Sequence, residues 1–141
     1  MDLVAIDEIR LYPRHREFFT TGWAIEIESG FEGQIRTRSG MARGFGIIVL
    51  NSPGTIDSDY RGELGVLLYN ASPNDIWIRP GDRIAQLVIA PVALASTAEV
   101  EELSTSPRGD GGWGSTGIAQ EATGSSTVSS STNKVLLRSQ P

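Results

Sequence analysis

Four short polar clusters interrupt this chain, and each gathers side chains able to do chemistry. Arg38-Ser39-Gly40 sets a planar guanidinium fork beside a hydroxyl and a glycine N–H that a ligand can approach closely. That set suits phosphate oxygens, although a lone tripeptide of this kind is equally an ordinary surface turn. Asn51–Glu63 (NSPGTIDSDYRGE) places Asp57 and Asp59 two apart, with Tyr60 alongside. Carboxylates are ionised at neutral pH and can accept a proton or orient a water; an acidic turn has the same composition. Pro80–Leu87 (PGDRIAQL) makes a Pro-Gly-Asp turn and then carries the Gln86 amide into an apolar strand. The sequence predicts that this amide is buried, where it must find partners in the protein or in a ligand. Arg108–Gly117 (RGDGGWGSTG) has five glycines in ten residues. Its exposed N–H groups can wrap phosphates, and the flat face of Trp113 can stack on a base. It lacks the Gly-Lys-Ser/Thr ending of a Walker loop, and alone it reads as a linker. Two Arg-bearing loops, a carboxylate turn, a buried amide and a free aromatic together point to a nucleoside triphosphate site.

Such clusters need a rigid frame, and the residues between them supply one. Trp23, Ile25 and Ile27 alternate with polar or small residues, which predicts a half-buried strand. Gln34–Arg38, Gly46–Leu50, Leu64–Tyr69, Asp75–Ile78 and Arg83–Ala90 predict further strands, separated by Pro-Gly, Ser-Pro-Asn and Pro-Gly-Asp turns. Ser39–Arg43 is long enough for one helical turn. Thr97–Leu103 fits a short helix or an edge strand. Short strands at even spacing predict an all-β sandwich or barrel. Residues 118–141 contain nine Ser or Thr and one small apolar cluster, Val135-Leu136-Leu137. This composition predicts a disordered tail, with the cluster available as a docking motif.

The bulk numbers narrow the function. The chain has 141 residues, 39% hydrophobic and 21% charged, enough for one globular domain with a core. Its net charge of −5 disfavours broad binding to nucleic acid or an anionic membrane. With no Cys and a single His, His15, thiolate metal sites are excluded and His-based ones lack partners. No apolar run spans a bilayer, and Met1–Arg10 has three acids and no basic leader region. The expected location is the cytoplasm.

In order and spacing, the four clusters resemble the motifs of the trimeric dUTP diphosphatase family. RSGMA is similar to the second motif, NSPGTIDSDYRGE to the third, PGDRIAQL to the fourth and RGDGGWGSTG to the fifth. The resemblance implies a jelly-roll-like distorted β-barrel spanning 1–117, Mg²⁺ as cofactor, and a homotrimer with sites shared between subunits. It implies that dUTP is split to dUMP and pyrophosphate, which keeps uracil out of DNA and supplies dUMP. Asp57 is similar to the carboxylate that orients the attacking water. Tyr60 resembles the ring under the deoxyribose. Asn51 and the backbone near Gly65 resemble the uracil readers, with Thr55 and Ile56 lining the same pocket. Arg38, Ser39, Gly40 and Gln86 resemble triphosphate ligands. Arg108, Ser115 and Thr116 resemble the γ-phosphate clamp, and Trp113 takes the place of the ring that covers uracil. Asp59, Arg61 and Glu63 are expected to hold the hairpin and the interface between subunits.

The first motif departs from the pattern. The family reads approximately Ala-Gly-x-Asp-Leu, whereas this chain begins Met1-Asp2-Leu3-Val4-Ala5. The preceding strand is missing, which predicts an internal Met taken as the start, or a truncation. Asp2, similar to a residue that meets Mg²⁺ through water, is then expected on a frayed end. Two alternatives follow. The dCTP deaminases resemble the chain around the Arg38 cluster, but their pattern places a catalytic Glu where this chain has Leu67. A truncated chain can also bind dUTP without turnover.

Overall fold

The computed structural model describes residues 1–93, 95–112 and 134–139, with 138 and 139 described by their backbone alone. Contacts divide the chain into two units, 1–93 and 94–141. Among the described residues no helix is long and apolar enough to cross a membrane.

The first unit is built from antiparallel strands with one helix: β1 (Asp2–Val4), β2 (Ile9–Leu11), β3 (Arg16–Ala24), β4 (Phe31–Arg36), α1 (Ser39–Phe45), β5 (Ile47–Val49), β6 (Gly54–Ile56), β7 (Glu63–Asn70), β8 (Ile76–Ile78) and β9 (Arg83–Pro91). They form three sheets, ordered β1-β9-β4-β6, β3-β7-β5 and β2-β8. The all-β expectation holds, although the sheets do not close into one barrel. Strand period explains the core. Leu64, Val66 and Leu68 alternate inward on β7, and they join Leu3, Leu11, Phe19, Ile35, Ile47, Ile78 and Ile84 in one buried cluster. Two buried polar side chains are fully occupied. Thr21 donates to the Leu64 carbonyl at 2.8 Å. Asn70 donates to the carbonyls of Leu11 at 3.0 Å and Asn74 at 2.7 Å, and accepts from the Ser72 N–H at 2.9 Å.

Several expectations shift in register. The strand expected around Trp23–Ile27 lies earlier, at Arg16–Ala24, and Trp23 is 62% exposed rather than inward. The pairing of β3 with β7 slips between Thr20 and Ala24, and Gly22 adopts φ 74° there. This irregularity breaks the simple alternation that a period-two reading assumes. The end at Met1 is not frayed. Its ammonium donates to the Leu87 carbonyl at 2.9 Å, the Leu87 N–H donates back to Met1 at 2.8 Å, and Leu3 is buried. Main-chain pairing and apolar burial thus anchor β1.

In the second unit, β10 (Ala95–Glu99) pairs antiparallel with β11 (Val135–Ser139). The Thr97–Leu103 segment is therefore a strand at its start and not a helix. The apolar cluster of the tail, expected to be unstructured, supplies β11; its β-branched and leucine residues suit ladder pairing better than solvent. The rest of 113–133 lies outside the described residues.

Candidate active site

The Arg38 cluster forms where β4 ends. Arg38 has extended backbone (φ −79°, ψ 129°), and α1 starts at Ser39 and closes on Gly46 in the left-handed region. Arg38 Nη1 donates to the Arg83 carbonyl at 2.8 Å. Its Nε is buried without a hydrogen-bond partner, 3.4 Å from Asp2 Oδ1. Asp2 also meets Arg83 Nη1 at 3.6 Å and accepts from Gln86 Nε2 at 3.3 Å. The pairing of β1 with β9 brings them together, because Asp2 stands opposite Gln86 in that register. Gln86 is exposed, contrary to the expected burial, because β9 turns Ile84, Ala85 and Leu87 inward and leaves Gln86 facing out. A cavity of about 340 Å³ opens beside Arg38 and Arg83, walled in part by Phe45 and Trp77. Ser39 is exposed, and a Cβ built on Gly40 would meet nothing within 4 Å.

Arg83 was missed at the level of sequence, although it lies inside PGDRIAQL; the signal was an arginine two residues after a Pro-Gly turn. Burial works against the charged form of Asp2. The Gln86 hydrogen bond and the Arg38 and Arg83 charges outweigh it, holding the carboxyl below its ordinary 3.8. A depressed carboxyl adds stability above its ordinary range and loses it as pH falls through the folded value. Wild type should therefore exceed Asp2→Asn in urea midpoint at neutral pH, and the gap should close below roughly pH 4. A gap that stays constant from neutral to acid pH would contradict this account.

The second group lies in the long loop of the antiparallel β5–β7 hairpin, a loop that includes β6, which pairs with β4. Gly54 is buried, and a Cβ there would come 3.0 Å from Asn51 Nδ2, so the amide rests against the glycine. Thr55 is exposed and pairs with Gln34, and Ile56 is half-buried against the core. Tyr60 donates its N–H to the Asp57 carbonyl at 3.1 Å and its hydroxyl to the Glu63 carbonyl at 2.9 Å. Arg61 Nη1 donates to the carbonyls of Ser58 at 2.7 Å and Tyr60 at 2.9 Å, while Nη2 meets Glu26 at 3.2 Å. The Glu63 carboxylate accepts from the Gly22 N–H at 2.7 Å. Arg61 and Glu63 therefore brace the hairpin. Asp59, expected to share that work, makes no hydrogen bond or ion pair among the described residues. The Asp57 carboxylate is likewise exposed and makes none among the described residues, so the braced turn holds it out to solvent uncommitted. At Gly65 a Cβ would fall 2.8 Å from Phe18 Cε1 and nearer still to Cζ, so the exposed Phe18 ring covers that backbone. No sequence pattern connected Phe18 with Gly65, because cross-strand register makes that contact.

Thr37 ties the two loops together, donating its N–H to Ser52 Oγ at 3.3 Å and accepting from the Val49 N–H at 2.9 Å. No hydrogen bond or ion pair among the described residues joins the Asp2–Arg38–Gln86 group to Asn51, Asp57, Tyr60 or Gly65. Arg108, in the second unit, donates Nε to its own Gly111 carbonyl at 3.0 Å. Trp113, Ser115 and Thr116 lie outside the described residues.

The donor set also limits how a metal is held. No cluster of three or more His, Cys, Asp or Glu occurs among the described residues. Asp2, already facing two guanidinium groups, is poorly placed as a direct cation ligand. Mg²⁺ retains waters and favours substrate phosphates over all-protein cages, so these residues fit an ion carried mainly by a polyphosphate.

An all-β frame with an uncommitted carboxylate on one hairpin and paired arginines on another edge defines a scaffold suited to phosphate chemistry. The dUTPase family model matches residues 1–117. A deoxyuridine 5'-triphosphate nucleotidohydrolase of Nautilia profundicola is 57% identical over 116 residues, covering 82% of each chain. One from an Anaeromyxobacter species is 53% identical over 117 residues, covering 83% of this chain and 80% of its own. Among solved structures, a Staphylococcus bacteriophage 80alpha dUTPase mutant with dUpNHpp superposes with a TM-score of 0.75 at 28% identity, covering 83% of this chain and 85% of its own. The chain belongs to the dUTPase family, and its strands form that family's jelly-roll fold.

Proposed function

We propose that this chain hydrolyses dUTP to dUMP and pyrophosphate, with Asp57 orienting the attacking water. The observation that carries the reading is the Asp57 carboxylate: it is free, while Arg61, Glu63 and the Tyr60 hydroxyl are all engaged in holding its turn. Asp57 takes up or aligns the proton of a water as that water's oxygen attacks phosphorus. The bond between the α- and β-phosphates breaks, and the bridging oxygen leaves with pyrophosphate. Arg38, Ser39, Gly40 and Gln86 bind the triphosphate, joined by Arg108, Ser115 and Thr116 from the glycine-rich loop. The open space above Gly40 supports this, since nothing within the chain requires glycine there, whereas a phosphate approaching its N–H would. Bound Mg²⁺ would neutralise phosphate charge, with Asp2 reaching it through water.

Asn51 and the Gly65 backbone read uracil, Thr55 and Ile56 line its slot, Tyr60 floors the sugar and Trp113 covers the base. A slot too tight for a methyl group excludes thymine, and edge hydrogen bonds exclude cytosine. The chain works as a homotrimer. Two facts support that reading: among the described residues no hydrogen bond or ion pair links Asp2, Arg38 or Gln86 to Asn51, Asp57, Tyr60 or Gly65, and the outer face of β3-β7-β5 leaves Phe18 60% exposed beside Leu67 and Tyr69. One subunit's hairpin then meets the arginine group of the next, and the third lends its glycine-rich loop. The reaction belongs in the cytoplasm with the nucleotide pool it acts on, and the site takes a free nucleotide rather than nucleic acid or a membrane.

The test is Mg²⁺-dependent pyrophosphate release from dUTP, with dTTP, dCTP and UTP alongside. Release from dUTP with little from the other three is expected. Ammonia released from dCTP would replace this reading with deamination, and dUTP binding without turnover would leave a binding protein.

A further inference from the structure

Gly62 sits two residues after Tyr60, in a conformation that asks nothing special of it. Its φ lies outside the left-handed region, unlike those of Gly22, Gly30, Gly46, Gly81 and Gly109. Its need for hydrogen is purely a matter of space. A Cβ at Gly62 would fall 2.6 Å from Tyr60 Cζ, 3.0 Å from Cε2 and closer still to the hydroxyl. At Gly30, Gly40, Gly44 and Gly81 the same construction meets nothing within 4 Å. The tyrosine ring thus rests on bare backbone at Gly62, and the Glu63 carbonyl holds its hydroxyl at 2.9 Å. The remaining surface of Tyr60, 42% exposed, faces solvent.

We propose that Gly62 is a positioning residue: its backbone is the backstop against which Tyr60 rests, and with the Glu63 carbonyl it sets the depth of the sugar floor. This rests on the reading of Tyr60 as the ring beneath the deoxyribose. A ring backed by backbone cannot recede, so a 2′-hydroxyl finds no room. A side chain at position 62 drives the ring off its rest and into the space the sugar needs. Loss of the hydroxyl latch does the reverse and lets the ring swing away.

The two substitutions therefore have opposite signatures. Gly62→Ala should weaken dUpNHpp binding and raise KM for dUTP by about tenfold, with kcat within about threefold, because Asp57 is untouched. In a Tyr60→Ala background the same change should cost almost nothing further, since no ring remains to displace. Tyr60→Phe, which adds no atom, should lower the preference for dUTP over UTP in kcat/KM by at least about threefold. The experiment is calorimetric titration of the full chain and its variants with dUpNHpp, together with dUTP and UTP kinetics. A folded Gly62→Ala chain with unchanged affinity and KM would overturn the inference, as would an equal loss in the Tyr60→Ala background. Should Gly62→Ala fail to fold, an unchanged dUTP preference in Tyr60→Phe would overturn it instead. A wild-type chain that binds no dUpNHpp would overturn the underlying site reading as well.

Discussion

Asp57→Asn is expected to reduce pyrophosphate release from dUTP by roughly 10²- to 10⁴-fold, the range a positioned proton acceptor contributes. The amide keeps the shape of the carboxylate and loses its ability to take a proton. Asp57 is exposed and, among the described residues, its carboxylate has no partner, so the change disturbs no internal contact. Stability should accordingly stay within about 0.5 kcal/mol, as for surface substitutions away from special features. Affinity for dUpNHpp should persist, because the hydrogen-bonded turn around Tyr60 and Arg61 is intact. The decisive measurements are single-turnover hydrolysis and thermal denaturation of the same preparation. Near-normal turnover would remove Asp57 from the chemistry. A loss explained by unfolding would contradict the observation that the side chain carries no structural contact.

Asn70→Asp should have the largest effect on stability, a loss of about 3–5 kcal/mol, the cost of breaking a buried polar arrangement by altering one partner. The side chain is fully buried. Its amide nitrogen serves Leu11 and Asn74, and its oxygen serves Ser72. A carboxylate keeps the acceptor but offers no donor, and it turns negative charge toward two carbonyl oxygens. Against a typical total of about 5–15 kcal/mol, such a loss leaves a visible unfolded fraction. Urea denaturation of both chains at one matched protein concentration measures it. The deficit should shrink in acid: the buried carboxyl has a raised folded-state value, so protonation relieves the penalty as pH falls. A midpoint indistinguishable from wild type at neutral pH would show that the Asn70 bonds do not bind the β7 end to β2 and the following turn.

Much of the architecture is legible in the sequence, for a local reason. The apolar runs GIIVL, LGVLLY and RIAQLVIA became β5, β7 and β9 because short apolar or alternating segments between Pro, Gly and Asn have few other ways to bury themselves. The polar clusters fell at strand ends, where side chains escape the ladder and point to solvent. Errors arose where register mattered more than pattern. Trp23 reads as inward but lies within the slip between Thr20 and Ala24. Gln86 reads as buried but faces out beside Asp2. β1 reads as a frayed end but is paired on β9.

By itself the sequence determined the residue types that chemistry requires, their order along the chain, and the turns that carry them, because these depend on neighbours a few positions away. Only the tertiary structure decided that Asp2, Arg38, Arg83 and Gln86 share one corner and that Phe18 lies over Gly65. Those contacts join residues up to 84 positions apart. They depend on which strands pair and in what register, where a shift of one residue turns every side chain to the opposite face.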